Sequence, residues 1–402
     1  MLDALDDDIL SVVIDELRAH PQPFRNGLFS FSAACRKLRV LCEPVLFRRC
    51  RFIYVGTDET LPQDWAFYDA AFHISPHIQF LRMSIRASPL SEIFETLQAL
   101  FARLHRLQTV FLPICEPRFS LDFVKVLLSA PNLENIVIQD IIWDDPPPYD
   151  PLSVPLLSPL KRYCESQEDD SVTIRKHPRY TAGPDIYTPA FRTELLWQAH
   201  STIERIQIPI HPYHIQLFTS TSWDAMHELI LYGLYPETAP PFIAIIQMMP
   251  NLRSLELLSW SKLVTVCPPE MAQTAELPPL QHLLIGNVSP ADPFFTLLPP
   301  NIVSLGIRDV PRAYLPILLA GIPPPLSQVY QLFRSRGFPH LEHLEVVFKA
   351  PAEGYDLEEQ LYASILQACP CVHSLEIHRY HSDSRNASLV GCLRVGPINS
   401  SY

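Results

Sequence analysis

The chain is poor in glycine and carries no excess of basic residues. Only 11 of its 402 residues are glycine, which leaves little material for the glycine-rich loops that cradle phosphate groups. The formal net charge is −12, whereas a nucleic-acid-binding domain usually presents a basic face. No window approaches the ~18 uninterrupted apolar residues of a membrane-spanning helix, because prolines interrupt the nearest run at 313–326. We therefore expect neither nucleic acid nor a membrane as a partner.

The sequence also lacks a secretory signal and a disulfide framework. Its first residues are acidic, with Asp3 and Asp6 to Asp8 where a signal peptide would carry basic residues. Nine cysteines, an odd number without regular spacing, are typical of reduced thiols. These features predict a cytoplasmic or nuclear location.

Recognised catalytic motifs are missing as well. There is no serine-hydrolase elbow, phosphate loop, dinucleotide fingerprint or paired-histidine zinc helix. Zinc-ligand residue types do cluster near the end of the chain, at Cys369, Cys371, His373, His378 and His381. Their spacing matches no standard ligand pattern, and they cross a predicted strand whose alternate residues point to opposite faces. We predict no metal, no cofactor and no enzymatic activity. An enzyme on an unfamiliar framework is the rival hypothesis, which a deep polar pocket would favour.

Proline is abundant, with 41 residues, and it punctuates a recurring unit. PNLRSLEL at 250–257 has an apolar anchor, another apolar residue three positions on, and a third two positions later. Versions recur at 131–138, 278–285, 299–307, 338–346 and 369–377. The last two apolar positions alternate as in a half-buried strand, and the proline ends any preceding helix. A unit this small can bury its apolar face only by stacking on its neighbours.

The anchors can be counted along the chain. They are Ile78, Leu107, Leu133, Leu160, Ile203, Met226, Leu252, Leu280, Ile302, Leu341 and Val372. Most spacings lie between 22 and 31 residues, and two longer ones indicate insertions at about 144–190 and 308–338. Amphipathic stretches at 93–101, 121–130, 242–249, 326–336 and 357–368 predict helices between the strands. The expected fold is an α/β solenoid with parallel strands on a concave face and helices on a convex face.

The first fifty residues predict a separate helical segment. Leu10, Val13, Ile14 and Leu17 fall on one face of a helix over 5–17. A second helix is expected over 28–43, and a third short helix should begin at Pro44 and run through residue 47. Residues 51–55 look like a first strand. The pair His211 and His214 is expected on a surface loop.

Two segments carry a resemblance to a known family. LDDDILSVVIDEL at 5–17 and FSAACRKLRVLCEPVLFRRC at 31–50 resemble the F-box, a helical docking module. Asp6 stands where that family usually has proline, and an aspartate can charge-stabilise the helix start instead. The repeats over about 75–380 resemble the irregular leucine-rich repeats that are joined to F-boxes. The expected domains are a docking module at 1–50, a solenoid at 51–381 and a C-terminal cap or tail at 382–402.

The resemblance implies a substrate-recognition subunit of a cullin-RING ubiquitin ligase. Its partners would be the ligase adaptor, the cullin and an unknown protein substrate, and other subunits would perform the catalysis. The implied adaptor-binding residues lie on the predicted helices: Leu5, Ile9, Leu10, Val13, Ile14, Leu17, Cys35, Leu38, Leu41 and Leu46. A docking helix should leave Ile9, Leu10 or Val13 exposed in the free chain. The alternative is a repeat scaffold without a ligase, in which the helices only cap the array.

Substrate would bind on the concave strand face, beside the buried leucine positions. The candidate residues are Asn135, Gln139, Ser254, Glu256, Arg308, His343, Glu345, Ser374, Glu376 and His378. The short basic run Arg48, Arg49 and Arg51 could contact acidic groups of a partner, although such runs are more often simply solvated.

Overall fold

A computed structural model describes residues 6–19, 25–54, 74–85, 94–113, 115–119, 121–139, 141–143, 159–166, 190–259, 264–308, 323–350, 355–381 and 389–395. The chain forms two compact units, residues 1–162 and 163–402. No helix within these ranges is both long and apolar enough to cross a membrane.

The first unit begins with three helices and continues as a parallel strand ladder. Its helices are α1 (Asp7–Ala19), α2 (Arg25–Ala33), α3 (Arg36–Leu46), α4 (Phe94–Phe101) and α5 (Leu121–Leu128). Its strands are β1 (Arg49–Tyr54), β2 (Phe80–Ile85), β3 (Thr109–Leu112), β4 (Cys115–Phe119), β5 (Asn135–Gln139) and β6 (Ile141–Trp143). β1, β2, β3 and β5 pair in parallel in chain order. β4 pairs with β2 and with β6, also in parallel.

In the second unit, parallel strands again alternate with helices. β7 (Arg162–Ser166) begins at the boundary, and the other strands are β8 (Arg205–Pro209), β9 (Glu228–Gly233), β10 (Ser254–Ser259), β11 (His282–Gly286), β12 (Ser304–Arg308), β13 (His343–Ala350), β14 (Ser374–His381) and β15 (Leu389–Val395). The helices are α6 (Ala190–Ala199), α7 (Pro212–Ser220), α8 (Phe242–Ile246), α9 (Phe294–Leu297), α10 (Leu326–Ser335) and α11 (Tyr355–Ala368). β8 to β14 pair in parallel in chain order. Each unit is thus an α/β repeat solenoid, which confirms the predicted fold class.

The predicted anchors set the position of every repeat strand. Each of the anchors from Ile78 to Val372 lies two residues before the start of a strand. All are buried except Val372, which is half-buried. The leucines Leu252, Leu255, Leu257, Leu341 and Leu344 are buried as predicted. Because a repeat buries its anchor against its neighbours, this spacing fixes where each strand enters the ladder.

Within each unit, a shared carbonyl joins one repeat to the next. The residue after an anchor accepts hydrogen bonds from two successive backbone N–H groups of the following repeat. The Arg253 carbonyl, for example, accepts from Gln281 N at 2.8 Å and from His282 N at 3.0 Å. Arg48 does the same for Gln79 and Phe80, so a repeat already begins at Phe47. The first three helices therefore run directly into the first strand of the ladder.

Several predicted boundaries were wrong. The break between the second and third helices falls at Ala34 and Cys35, because the Cys35 sulfur caps α3 by accepting from Leu38 N at 3.5 Å. Pro44 lies inside the last turn of α3, where it removes only the hydrogen bond of its own missing N–H. Helices α6, α7 and α9 were not predicted. The predicted anchor Leu160 and the predicted helix at 326–336 do lie in the structure before β7 and at α10, within the two longer spacings.

The C-terminal residues 389–395 close the ladder in the opposite direction. β15 pairs antiparallel with β14, from Leu375 opposite Val395 to Tyr380 opposite Leu389. Its backbone occupies the free edge of the last parallel strand, and an unpaired edge is a site of unwanted association. Of the range 382–402, expected to be a cap or a tail, the structure describes this strand alone.

A buried ion pair sits beside β7. Arg192 Nε lies 2.7 Å from Glu165 Oε1, and the Tyr163 hydroxyl donates to the same oxygen at 2.7 Å. The Tyr232 hydroxyl donates to the Glu165 carbonyl oxygen at 3.0 Å. Burial lowers the pKa of Arg192. The charge of Glu165, with Tyr163 and Tyr232, raises that pKa by more, so the net shift is upward. Arg192 therefore stays charged inside the core.

His214 is buried in α7 rather than exposed on a loop, and His211 caps the start of that helix through its side chain. His214 Nδ1 lies 3.1 Å from the Pro209 carbonyl oxygen, and Nε2 has no hydrogen-bond partner among the described residues. Burial, together with the charges of Arg192 and His211, lowers the pKa of His214 well below its ordinary value, although the Pro209 bond raises it. The folded protein thus holds this imidazole neutral.

The melting temperature should fall as the pH drops below about 6.5, the ordinary histidine pKa. Below that pH the unfolded chain binds a proton at His214 that the folded chain does not bind, so acid favours unfolding. His214→Asn keeps a donor for Pro209 but cannot titrate, so its melting temperature should fall less between about pH 7.5 and about pH 5.5. The same change at the exposed His227 is the control and should leave the slope unchanged. An equally steep loss in the His214 variant would contradict the assignment.

Candidate functional site

The three N-terminal helices form a small core of their own. Ile14, Leu28 and Cys42 are buried at its centre. Partly buried apolar side chains surround them: Leu17, Phe31, Leu41, Val45 and Leu46. Leu10 and Leu38 are fully buried. The half of the α1 apolar surface that carries Leu10 and Ile14 is therefore covered within the chain.

A second apolar strip of α1 is left uncovered. Ile9 is 52 %, Val12 69 % and Val13 37 % exposed, although all three are aliphatic. Residues three and four positions apart lie on the same side of a helix, so Ile9, Val12 and Val13 form one strip. Phe29 on α2 and Val40 on α3 are also more than half exposed. Exposed apolar residues grouped in this way mark interaction surfaces more often than isolated ones do.

The predicted adaptor-binding residues divide into two groups. Ile9 and Val13 are exposed and available to a partner, as expected. Leu10, Ile14 and Leu38 are buried, and Leu17, Leu41 and Leu46 pack against the core. Cys35 is half-buried and caps α3. Leu5 lies outside the described residues. Most of these residues thus build the module, and two of them face outward from it.

The predicted substrate-binding residues lie on the outward face of their strands. In the first unit, Asn135 and Gln139 alternate with the buried Ile136 and Ile138. In the second unit, one register row contains Ser254, His282, Ser304, His343 and Ser374. The next outward row contains Glu256, Leu284, Gly306, Glu345 and Glu376. Placement on this face agrees with the strand alternation read from the sequence.

Four of the predicted residues meet in one polar network on β12, β13 and β14. Arg308 Nε donates to Glu345 Oε2 at 2.7 Å. His378 Nε2 lies 2.8 Å from Glu376 Oε1 and 3.5 Å from Glu345 Oε1. Burial lowers the pKa of Arg308, but Glu345, Glu256 and Glu376 raise it by more. His378 is only 4 % exposed, so it was wrongly expected to be an open surface residue.

The ligand atoms of Glu345, Glu376 and His378 lie within 4.8 Å of one another, a spacing that a metal ion could bridge. The guanidinium of Arg308, however, already holds Glu345 and would repel a cation. A second such group joins Glu342, His343 and His373 on the exposed surface. Among the described residues, neither Cys369 nor Cys371 joins a group of this kind. The network is better suited to hydrogen bonding with a polar partner than to metal binding.

Sequence reasoning missed the aromatic residues of the first unit's strand face. Phe80 and Phe111 are half-buried on its outward side, with ring centroids 6.4 Å apart. Arg82 lies beside them, its Cζ 5.3 Å from the Phe111 centroid. The signal was present in the sequence, because each phenylalanine begins or continues an alternating strand after an anchor.

Comparison with known proteins adds little. No protein-family model matches the chain, and no curated protein matches it. One solved chain that resembles it comes from the crystal structure of the Rad7 and Elc1 complex in yeast. The two are 12 % identical, with a TM-score of 0.38, and the match covers 92 % of this chain and 81 % of that one. A likeness at this level supports no statement about function.

Proposed function

We propose that the protein is a substrate receptor of a cullin-RING ubiquitin ligase. Helices α1 to α3 would dock on the ligase adaptor, and the outward strand faces would bind a protein substrate. The chain itself would perform no catalysis. It would raise the effective concentration of its substrate near the ubiquitin-charged enzyme, which is carried by other subunits.

One observation carries the proposal: α1 has two apolar sides, and the chain covers only one of them. Leu10 and Ile14 complete the internal core, whereas Ile9, Val12 and Val13 face solvent. A helix that served only as a cap would need one apolar side. The exposed strip supports a docking partner, and the F-box-like sequence of these helices supports the ligase adaptor as that partner.

The scaffold alternative has an observation of its own. The backbone carbonyl of Arg48, two residues after the end of α3, accepts hydrogen bonds from the N–H groups of Gln79 and Phe80. The helices are therefore continuous with the first strand of the ladder. A cap would be attached in the same way. The receptor function and the scaffold function therefore differ in one testable respect, which is whether the exposed strip of α1 binds the ligase adaptor.

Ile9→Asp combined with Val13→Asp should abolish capture of the adaptor from purified components. Docking would bury two unpaired carboxylates, each at a cost of several kcal/mol. Because both positions are exposed in the free chain, the melting temperature should change little. Ile9→Leu combined with Val13→Leu is the matched control and should retain capture. If the aspartate variant still captures the adaptor, or if neither it nor the wild type does, the scaffold function replaces the proposed one.

A further inference from the structure

The outward strand face of the first unit is basic, unlike the corresponding face of the second unit. We define the basic strand face as Arg49, Arg51, Phe80, Arg82 and Phe111. Its members are in register: Arg49 lies opposite Phe80, and Arg51 lies opposite Arg82, which lies opposite Phe111. They alternate with the buried residues Phe52, Leu81 and Val110. The three arginines are exposed and the two phenylalanines half-buried.

Two of the three arginines of this face, Arg49 and Arg82, have aromatic rather than acidic neighbours. Arg49 Cζ lies 5.6 Å from the Phe80 ring centroid, and Arg82 Cζ lies 5.3 Å from that of Phe111. Among the described outward positions of β1, β2, β3 and β5, none carries a carboxylate. In the second unit, by contrast, Arg205 pairs with Glu228 at 2.8 Å and Arg308 with Glu345. The basic strand face therefore has positive charge that its own strands do not neutralise.

Stacking leaves the guanidinium groups of Arg49 and Arg82 ready for a ligand. A guanidinium that lies over an aromatic ring is attracted through its flat side, and its N–H donors stay available at its edge. Those donors match carboxylates, which can accept two parallel hydrogen bonds from one arginine. The stacking also holds long side chains in place, so less side-chain entropy is lost on binding.

We infer that the basic strand face binds an acidic peptide segment in an extended conformation. Arg49 and Arg51 are two residues apart on one strand, which separates them by about 6.6 Å along it. Acidic residues at alternate positions of an extended peptide have the same separation. Arg82 lies one strand away from Arg51 and can hold a second oxygen of the same carboxylate or the next one. The expected ligand therefore carries aspartate or glutamate at every second position.

Nucleic acid fits this face less well. Single-stranded nucleic acids bind through open aromatic faces on which bases stack. Here Phe80 and Phe111 are half-buried and stack on each other, and one arginine lies over each ring. Phosphate binding also needs an extended basic surface, whereas the chain has a net charge of −12.

The inference deepens the proposed function, on which it rests for its biological role, by naming the chemical class of the substrate. Peptide binding can nevertheless be measured directly. A labelled peptide with glutamate at alternate positions is titrated with the full chain and followed by fluorescence anisotropy. We expect saturable binding that weakens as salt is added, because salt screens the charges. A peptide with lysine in place of glutamate should not bind.

Arg51→Gln combined with Arg82→Gln should weaken binding of the acidic peptide at least about tenfold, since two charge-assisted contacts are lost. Arg103→Gln combined with Arg106→Gln removes the same charge from exposed positions outside the strands and should weaken it less than about twofold. Arg51→Gln alone should still weaken binding. Arg51 has no aromatic neighbour among the residues of this face, so this variant preserves the stacking of Arg49 on Phe80 and of Arg82 on Phe111. Equal losses in the two double variants, no binding at all, or tighter binding of a single-stranded oligonucleotide would overturn the inference.

The two proposals fail separately. The Ile9→Asp, Val13→Asp variant should bind the acidic peptide as the wild type does, and the Arg51→Gln, Arg82→Gln variant should capture the adaptor as the wild type does. If the wild-type protein binds the acidic peptide but does not capture the adaptor, the ligase function is wrong and the peptide site stands. If it captures the adaptor but does not bind the acidic peptide, the ligase function stands and the acidic substrate is wrong.

Discussion

Replacing Leu255 with alanine is expected to lower the free energy of unfolding by about 2 to 5 kcal/mol, the usual cost of truncating a buried leucine. Leu255 is fully buried and lies in register between Leu229 of β9 and Leu283 of β11, which are buried too. The cavity would thus open between three repeats at once. Because stacked repeats stabilise one another across shared interfaces, the loss should extend to neighbouring repeats.

Chemical denaturation of the full chain measures this loss, and hydrogen exchange reports how far it spreads along the ladder. Leu258→Ala is the matched control, because the same side chain is truncated on the outward side of the same strand, where it is half-buried. Its loss should be less than half as large. Similar losses at the two positions would show that the inward side of β10 is not the core.

Arg192→Met should destabilise the protein by about 3 to 5 kcal/mol, the usual cost of leaving one member of a buried ion pair without its partner. The carboxylate of Glu165 would then stay in the core without the Arg192 charge. Of the two side chains described beside that carboxylate, Tyr163 would still donate to it. Adding Glu165→Gln should restore most of the loss, because the neutral amide still accepts from Tyr163 and no longer needs a counter-charge.

The loss of stability at the buried pair of Arg192 and Glu165 should be compared with the loss at the more exposed pair of Arg205 and Glu228. Arg205→Met breaks the half-exposed pair with Glu228 and should cost no more than about 1 kcal/mol. Urea denaturation of the single and double variants measures all three values. A double variant as unstable as Arg192→Met alone would show that lost packing, and not the stranded charge, causes the effect.

The repeat positions could be read from the sequence because they depend on local pattern. The anchors Leu160 and Met226, for example, lie two residues before β7 and β9. In each repeat, the spacing between the anchor and the two apolar residues that follow it fixes both the position of the turn and the side of the strand that is buried. The F-box resemblance led to the expectation that Ile9, Leu10 or Val13 would be exposed; Ile9 and Val13 are exposed, and Leu10 is buried.

The rest depends on contacts that no local pattern reveals. Cysteine is an unusual helix cap, so the start of α3 carried no recognisable signal. The pairing of Glu165 with Arg192 joins two segments that lie 27 residues apart in the chain, where the sequence indicated only an insertion. His378 lies on the predicted face, but it is buried and contacts Glu345 and Glu376, and no local pattern reveals these contacts.

The shared carbonyls have a further consequence for the unusual proline content. Prolines such as Pro131, Pro250, Pro339 and Pro370 precede their anchors by two residues, whereas the two donating positions follow the anchor and are never proline. These prolines therefore remove no hydrogen bond from the junction between repeats. Each of them does restrict the backbone of the unfolded chain, which lowers the conformational entropy that folding must overcome. Rigidity of the denatured chain is thus a source of stability that contacts within the folded array do not reveal.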